Sequence, residues 1–319
     1  MLLCSLLLSS SWDTLLVDTR EYFIDRIVDL KVSGDHFFVV GSNKRILHGH
    51  LIFKINRQGN ILKKMTRNGS GPGEIESIRN ISLADGRVYV AESLRPILHI
   101  YDLNLNYIRD VKLHSGGTIL VNDEQFLGIW RTVYGRGGAH MLTLYAKPDF
   151  KPYKRVFPYL AKDQAYLVQQ WGGATSGSGN AIAGVLVHDY RIRIFNPQDE
   201  SYRYLFTAEP SHILPKPKLP KKEIDMRPED DKAWLSRWHI VHGLYFSEGL
   251  FVVTWRYKDQ YFFDVIHEHG EFVAKKLLSG TPILDFEDGR LWRIVEKENE
   301  LGDKSFFVAT IELAKMVKQ

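Results

Sequence analysis

The chain carries a single cysteine, Cys4, so no disulfide can form within it. That excludes a disulfide-stapled scaffold and a cysteine-built zinc site, and leaves the cellular compartment open. Charge of one sign is also scarce: 42 basic residues stand against 38 acidic ones, a net charge of +4. The concentrated basic footprint of a nucleic-acid binder is missing. The densest basic run, Lys216 to Lys222, is broken by proline and followed by acids, and reads as a solvated extended loop. No G-x-S-x-G elbow and no H-E-x-x-H pair is present, and no integral membrane span is expected. Helical periodicity over ten or more residues is absent outside one linker. Hydrophobic residues make up 44% of the chain and aromatics 12%, enough for a sizeable core and an argument against global disorder.

Against these absences stands a dense β pattern. Gly69-Ser70-Gly71-Pro72-Gly73-Glu74 forms a turn, and apolar residues then alternate on either side of Asp85-Gly86. A period of two marks strands, and Asp-Gly supplies the positive φ of a tight hairpin. A third strand, Ile97 to Asp102, completes the group. The turn, the segment Asp85-Gly86-Arg87-Val88-Tyr89-Val90-Ala91-Glu92-Ser93 and the ending Tyr101-Asp102 resemble a blade of the NHL-repeat and related six-bladed propellers, TolB-like proteins among them. The resemblance is close over residues 69–112 and implies an all-β, six-bladed β-propeller. The turn lacks the Lys-Ser/Thr and following helix of a phosphate loop, so its glycines serve turn geometry and Glu74 is expected to pair or cap locally.

The rest of the chain parses into similar groups of four strands. Blade one takes Ile27 to Val32, His36 to Val40, Leu51 to Asn56 and Asn60 to Thr66. Blade two runs from Arg79 to Leu113, and blade three from Thr118 to Tyr159. Blade four takes Ala165 to Trp171, Ala181 to Val187, Tyr190 to Asn196 and Tyr202 to Ala208, and blade five runs from His242 to Leu278. Blade six, from Ile283 to Leu313, has three strands. Its fourth is expected from Trp12 to Thr19, so that an N-terminal strand closes the last blade and removes two exposed edges. Residues 209–238 hold five prolines, which cannot donate to a ladder. That stretch is expected to be an inter-blade excursion, with one short helix from Pro228 to Leu235. A single propeller is thus expected over residues 12–319. Residues 1–11 read as the remnant of a secretory or lipoprotein signal with Cys4 as a lipid anchor, the alternative being a frayed apolar terminus. Propellers resembling this one are commonly exported, so a periplasmic or cell-surface location is expected.

Ligands meet propellers at the mouth of the central channel. Three doublets, Trp130-Arg131, Trp255-Arg256 and Trp292-Arg293, fall in or at the end of second strands, and Glu92 and Arg95 hold the comparable place in blade two. An indole stacks on a guanidinium, whose planar fork suits carboxylate or phosphate, so these residues form the expected binding site. The competing account is that the tryptophans fill gaps between blades and the arginines snorkel to solvent. His239 and His242, three apart, fall on opposite strand faces and make poor joint ligands; His267 and His269 form a surface pair at a hairpin. Gly172 to Gly179 is expected to be a loop between the first two strands of blade four, folding over a ligand or playing no part.

No catalytic residue is assigned and no cofactor is predicted. The expected function is a non-catalytic module that binds a protein, peptide or glycan partner. The resemblance implies an alternative, since six-bladed relatives include lactonases and amidating lyases that hold a divalent cation in the channel. Such a metal site needs convergent oxygen or nitrogen ligands. The inner strands offer Asn80, Asn122, Asp285 and Asp29, an incomplete set without a lactonase or lyase motif.

Overall fold

The computed structural model describes residues 13–17, 22, 24–43, 49–65, 69–93, 95–114, 116–130, 140–158, 172–177, 181–186, 189–205, 240–257, 260–278, 282–298 and 304–314. Cys4, Arg131, His239, the basic run, the expected excursion over residues 209–238 with the helix expected in it, and the strand expected from Ala165 to Trp171 lie outside the described residues.

The described strands form six four-stranded antiparallel sheets. Blade one holds β2 (Ile24–Ser33), β3 (His36–Asn43), β4 (His50–Asn56) and β5 (Ile61–Met65). Blade two holds β6 (Ile78–Ala84), β7 (Arg87–Glu92), β8 (Ile97–Asp102) and β9 (Tyr107–Lys112). Blade three holds β10 (Thr118–Asn122), β11 (Phe126–Trp130), β12 (His140–Ala146) and β13 (Lys151–Pro158). Blade four holds β14 (Gly172–Ser176), β15 (Ile182–Leu186), β16 (Asp189–Phe195) and β17 (Tyr202–Leu205). Blade five holds β18 (Ile240–Ser247), β19 (Leu250–Tyr257), β20 (Gln260–His267) and β21 (Phe272–Leu278). Blade six holds β22 (Ile283–Glu287), β23 (Arg290–Glu298), β24 (Lys304–Glu312) and, from the other end of the chain, β1 (Asp13–Val17). β1 pairs antiparallel with β24, Asp13 opposite Thr310 and Val17 opposite Phe306, which is the expected closure. The inner strands β2, β6, β10, β14, β18 and β22 pack in that order, and β22 returns to β2, so the ring is a six-bladed β-propeller.

Local sequence explains the strand reversals. Asp85-Gly86, Glu248-Gly249 and Asp288-Gly289 each have positive φ at both residues, the type I′ geometry whose twist matches that of the flanking strands. Second strands such as β11 and β15 are buried at every position, because both faces meet a neighbouring blade, whereas the outer strand β9 is largely exposed. The core is accordingly divided. Six apolar clusters each straddle one blade junction: Phe37 and Phe53 with Trp292 between blades one and six, for example, and Phe157 with Ile182 between three and four. Each fully buried Leu, Ile or Phe contributes about 1.5–3 kcal/mol, so stability resides in the junctions rather than in any blade alone.

One expectation is corrected. The glycine-rich segment is a strand over Gly172–Ser176, paired with β15 from Gly172 opposite Leu186 to Ser176 opposite Ile182. Its glycines serve close approach. A Cβ on Gly173 would lie 2.2 Å from the Leu244 nitrogen and 2.5 Å from the Gly243 carbonyl carbon of β18, a separation no side chain fits.

Candidate functional site

The inner strands line the channel, and their polar side chains fasten blade to blade. In blades one, two and six, one residue is skipped in the pairing with the second strand, between Ile27 and Asp29, Ile78 and Asn80, and Ile283 and Asp285. The polar residue after each irregularity reaches the next blade. Asp29 accepts the Leu30 N–H at 2.9 Å on Oδ1 and the Ile81 N–H of blade two at 2.9 Å on Oδ2. Asn80 accepts the Ile119 N–H of blade three at 3.0 Å and donates through Nδ2 to the Ile119 carbonyl at 2.8 Å. Asp285 accepts the Val32 N–H of blade one at 2.8 Å. The residue types follow from the partners: Asp29 has two donors to accept from, and Asn80 faces one donor and one acceptor.

Lys31, two residues beyond Asp29 and so on the same strand face, completes this cluster. Its Nζ donates to the Leu284 carbonyl at 2.9 Å and lies 3.7 Å from Asp29 Oδ1 and 3.6 Å from Asp285 Oδ1. Burial works against the Lys31 ammonium, but the two carboxylates outweigh it and hold its pKa above the ordinary lysine value. Burial pushes the Asp29 carboxyl up against the opposing pull of Lys31. Tyr245, its own pKa raised by burial, donates to the Ile283 carbonyl at 2.9 Å and links blades five and six. Three of the four residues considered as metal ligands therefore hold backbone amides. The fourth, Asn122, has both side-chain polar atoms buried without a hydrogen-bond partner among the described residues. Among those residues no group of three or more His, Cys, Asp or Glu is placed to hold a metal ion.

The tryptophan–arginine doublets do not share a register. Opposite the residue that precedes the inner-strand irregularity stand Glu92 in blade two, Trp255 in blade five and Arg293 in blade six. Trp292 is one position earlier on β23, opposite Asp285, and in blade three Trp130 is one position later. A one-residue offset reverses the face of a strand. Trp130 and Trp292 accordingly pack forward, into the junctions of blades three with four and six with one, while Trp255 is turned the other way. Trp292 meets Phe37 edge-on at 5.3 Å, under the Arg57 guanidinium at 4.7 Å from its ring. Trp255 stacks on Phe262 at 4.2 Å and donates through Nε1 to Asp264 at 3.0 Å. All three indoles are buried. Arg293 is buried as well, and desolvation lowers its pKa, whereas Arg256 is part-exposed.

Glu92 and Arg95 are brought together and form the heart of a lock in blade two. Arg95 Nε and Nη2 donate to the two Glu92 oxygens at 2.6 Å each, and Glu92 Oε1 also accepts the Glu76 N–H at 3.1 Å and lies 3.0 Å from His99 Nε2. His99 Nδ1 lies 2.6 Å from Asp110. Burial pushes the Glu92 carboxyl up, but hydrogen bonds from His99 and Arg95 outweigh it and hold it at about 2. Arg95 also reaches the Gly69 and Ser70 carbonyls at 3.4 and 3.5 Å, and Tyr101 donates to the Gly73 carbonyl at 3.1 Å. Glu74 folds back inside the turn to accept the Gly71 N–H at 3.0 Å, the local role expected of it. The glycine–proline turn is thus latched onto its own blade.

Sequence reasoning passed over His99, Asp110, Lys31 and Tyr245. A signal existed for two of them: His99 interrupts the apolar run Ile97 to Tyr101, and Lys31 shares a face with Asp29. His242 lies in β18 against the Tyr261 ring at 5.6 Å, and burial, then the Arg256 charge, holds it down at about 4. His267 and His269 are exposed at the β20–β21 hairpin. Glu287, at the end of β22, is pushed up to about 7 by burial and then by Asp285 and Asp288.

No protein-family model matches the chain, and no curated protein matches it in sequence. Among solved structures it is similar to a "Putative exported protein" of Bacteroides fragilis, with a TM-score of 0.65, 9% identity and 94% of each chain covered. It is also similar to a member of the DUF4221 family from Bacteroides vulgatus, with a TM-score of 0.63, 11% identity and coverage of 94% of this chain and 96% of that one. A third likeness is to virginiamycin B lyase from Staphylococcus aureus solved with quinupristin, with a TM-score of 0.56, 8% identity and coverage of 94% of this chain and all of the lyase. At these identities the likeness is one of fold.

Proposed function

We propose that this chain is an exported, non-catalytic binding propeller of the NHL-repeat or TolB-like kind, which engages a protein, peptide or glycan partner at its channel mouth. The observation that carries the reading is the engagement of the inner-strand acids and amides: Asp29, Asn80 and Asp285 hold backbone groups of adjacent blades, and Lys31 sits between the two carboxylates. Polar groups used as fasteners are poorly placed to carry a reaction. Export is supported by the name of the Bacteroides fragilis neighbour. Within the expected mouth, Arg256 and Arg131 are the residues assigned to partner contact, and the buried tryptophans are assigned to packing. Cross-linking of the wild-type chain to partners in its native compartment, compared with an Arg131→Ala/Arg256→Ala variant, tests the reading. Loss of a specific cross-linked species with unchanged folding supports it, and identical capture removes the channel mouth as the site. The alternative, a metal-dependent hydrolase or lyase, draws on the lyase neighbour. It requires turnover of lactones or amidated glycolates that disappears with a chelator and returns with a divalent cation.

A further inference from the structure

The residues skipped in the inner-strand pairing just before Asp29, Asn80, Val121, Gly243 and Asp285 are Val28, Arg79, Leu120, His242 and Leu284. Val28, Leu120 and Leu284 are half-buried against the junction clusters, and His242, also half-buried, lies against the Tyr261 ring. Arg79 alone is exposed. A position that is aliphatic in three blades thus carries a guanidinium in blade two, at the end of the inner strand where Glu92 stands opposite Ile78. That end is the expected channel mouth.

Arg79 is held in place without being neutralised. Its Nε donates to the Thr118 hydroxyl at 3.0 Å, on the inner strand of blade three, and its guanidinium lies 5.9 Å from the centroid of the Trp130 ring. Among the described residues no carboxylate pairs with it, and neither terminal nitrogen has a hydrogen-bond partner. Arg26, exposed near the start of β2 in blade one, is likewise unpaired among those residues. The acids at this end are already engaged. Glu92 holds Arg95 and approaches His99, Glu76 lies 3.8 Å from Arg95 Nη1, and Glu296 is ion-paired with Lys304, whose ammonium Asp25 and Glu298 also favour. A guanidinium steadied at its Nε while its fork stays open loses little freedom when a carboxylate arrives.

We propose that the channel mouth recognises an acidic peptide segment of its partner, with Arg79 receiving a carboxylate end-on through its two terminal nitrogens. The inference rests on the mouth being the binding site. A planar guanidinium pairs with a carboxylate through two parallel hydrogen bonds, which gives both strength and direction. A peptide is favoured over a glycan because Trp130, Trp255 and Trp292 are all buried and offer a sugar no open ring face.

Fluorescence anisotropy of the full chain with labelled oligo(Glu-Gly), oligo(Gln-Gly) and oligogalacturonate tests the inference. The wild type is expected to bind oligo(Glu-Gly), less tightly as salt rises, and to bind the other two at least about tenfold more weakly. Arg79→Gln should weaken binding by about tenfold or more while circular dichroism stays that of the wild type. Arg79→Lys, which keeps the charge and loses the fork, should recover only part of that loss. Arg87→Gln makes the same change at the other end of blade two, where β7 begins, and should leave the affinity unchanged. Absent binding, equal binding of oligo(Gln-Gly), tighter binding of oligogalacturonate, wild-type affinity in Arg79→Gln or an equal loss in Arg87→Gln overturns the inference. Cross-linking separates it from the reading it rests on. A species lost in Arg131→Ala/Arg256→Ala and retained in Arg79→Gln leaves the mouth as the site and overturns the acidic contact alone, whereas retention in both variants removes the mouth and the inference with it.

Discussion

At three consecutive junctions of the inner ring a side chain crosses to the backbone of the next blade: Asp285 to Val32, Asp29 to Ile81 and Asn80 to Ile119. Across the ring, where blade four meets blade five, the backbones themselves come together and Gly173 leaves no room for a Cβ beside Leu244. The corresponding position after the inner-strand irregularity is polar in blades six, one and two, and is Val121 in blade three and Gly243 in blade five. One stretch of the ring is therefore held by hydrogen bonds that depend on residue chemistry, and the other by an approach that depends on the absence of a side chain. The first tolerates a change of volume and is sensitive to a change of charge. The second has the opposite sensitivities.

The contrast can be broken most severely at Gly173. Gly173→Ala drives a methyl group into backbone atoms that no rotamer can move, and should cost about 3 kcal/mol or more in urea unfolding. A loss under about 1 kcal/mol would show that the two inner strands have room to part. Next comes Asp29→Ala, which strands the buried Leu30 and Ile81 amides and should cost about 2–3 kcal/mol by the same measurement. A sharper probe exchanges chemistry at constant shape. Asn80→Asp sets an oxygen against the Ile119 carbonyl and should cost about 1–2 kcal/mol, with amide exchange at Ile119 rising in parallel. Wild-type exchange at that amide would deny the fastening role.

A different kind of effect, a pH dependence, belongs to the carboxylate side of the ring. Glu287, beside Asp285 on β22, titrates at about 7 in the folded chain against an ordinary value of 4.5. Between those values the folded chain holds a proton that the unfolded chain has lost, so stability falls as pH rises from about 4.5 to 7 and this contribution is flat above. Glu287→Gln should remove that slope when urea midpoints are compared from pH 4.5 to 7.5. A slope of unchanged size in the variant would assign it to another group.

The architecture was legible because its signals are local. Tight Asp-Gly turns, the period of two and the surplus N-terminal strand each point to the blades, and the closing pair of β1 with β24 follows from counting strands. Blade four was misread at its start because glycine carries two meanings. Gly172 to Gly179 has the composition of a loop, yet Gly172–Ser176 pairs with β15, and only the close approach of β18, more than sixty residues away, accounts for glycine at position 173. The doublets misled for a related reason. Trp130, Trp255 and Trp292 look alike in the linear pattern, yet their phase relative to the inner-strand irregularity differs by one residue each, and in a sheet that decides which way a ring points. Asp29, Asn80 and Asp285 were picked out correctly as inner-strand polar residues. Their backbone partners lie on the next blade, and no spacing within one strand reveals them.

The pairing of β1 with β24 also sets a schedule. In synthesis β1 must wait for β24, nearly three hundred residues later. At ordinary rates of synthesis that is on the order of 15–60 s during which β1 has no partner and blade six has an open flank. Five blades can assemble in that interval, so the ring's final act is to bring β1 and β24 together. Whatever shields β1 meanwhile decides whether the circle closes on itself or on a neighbour.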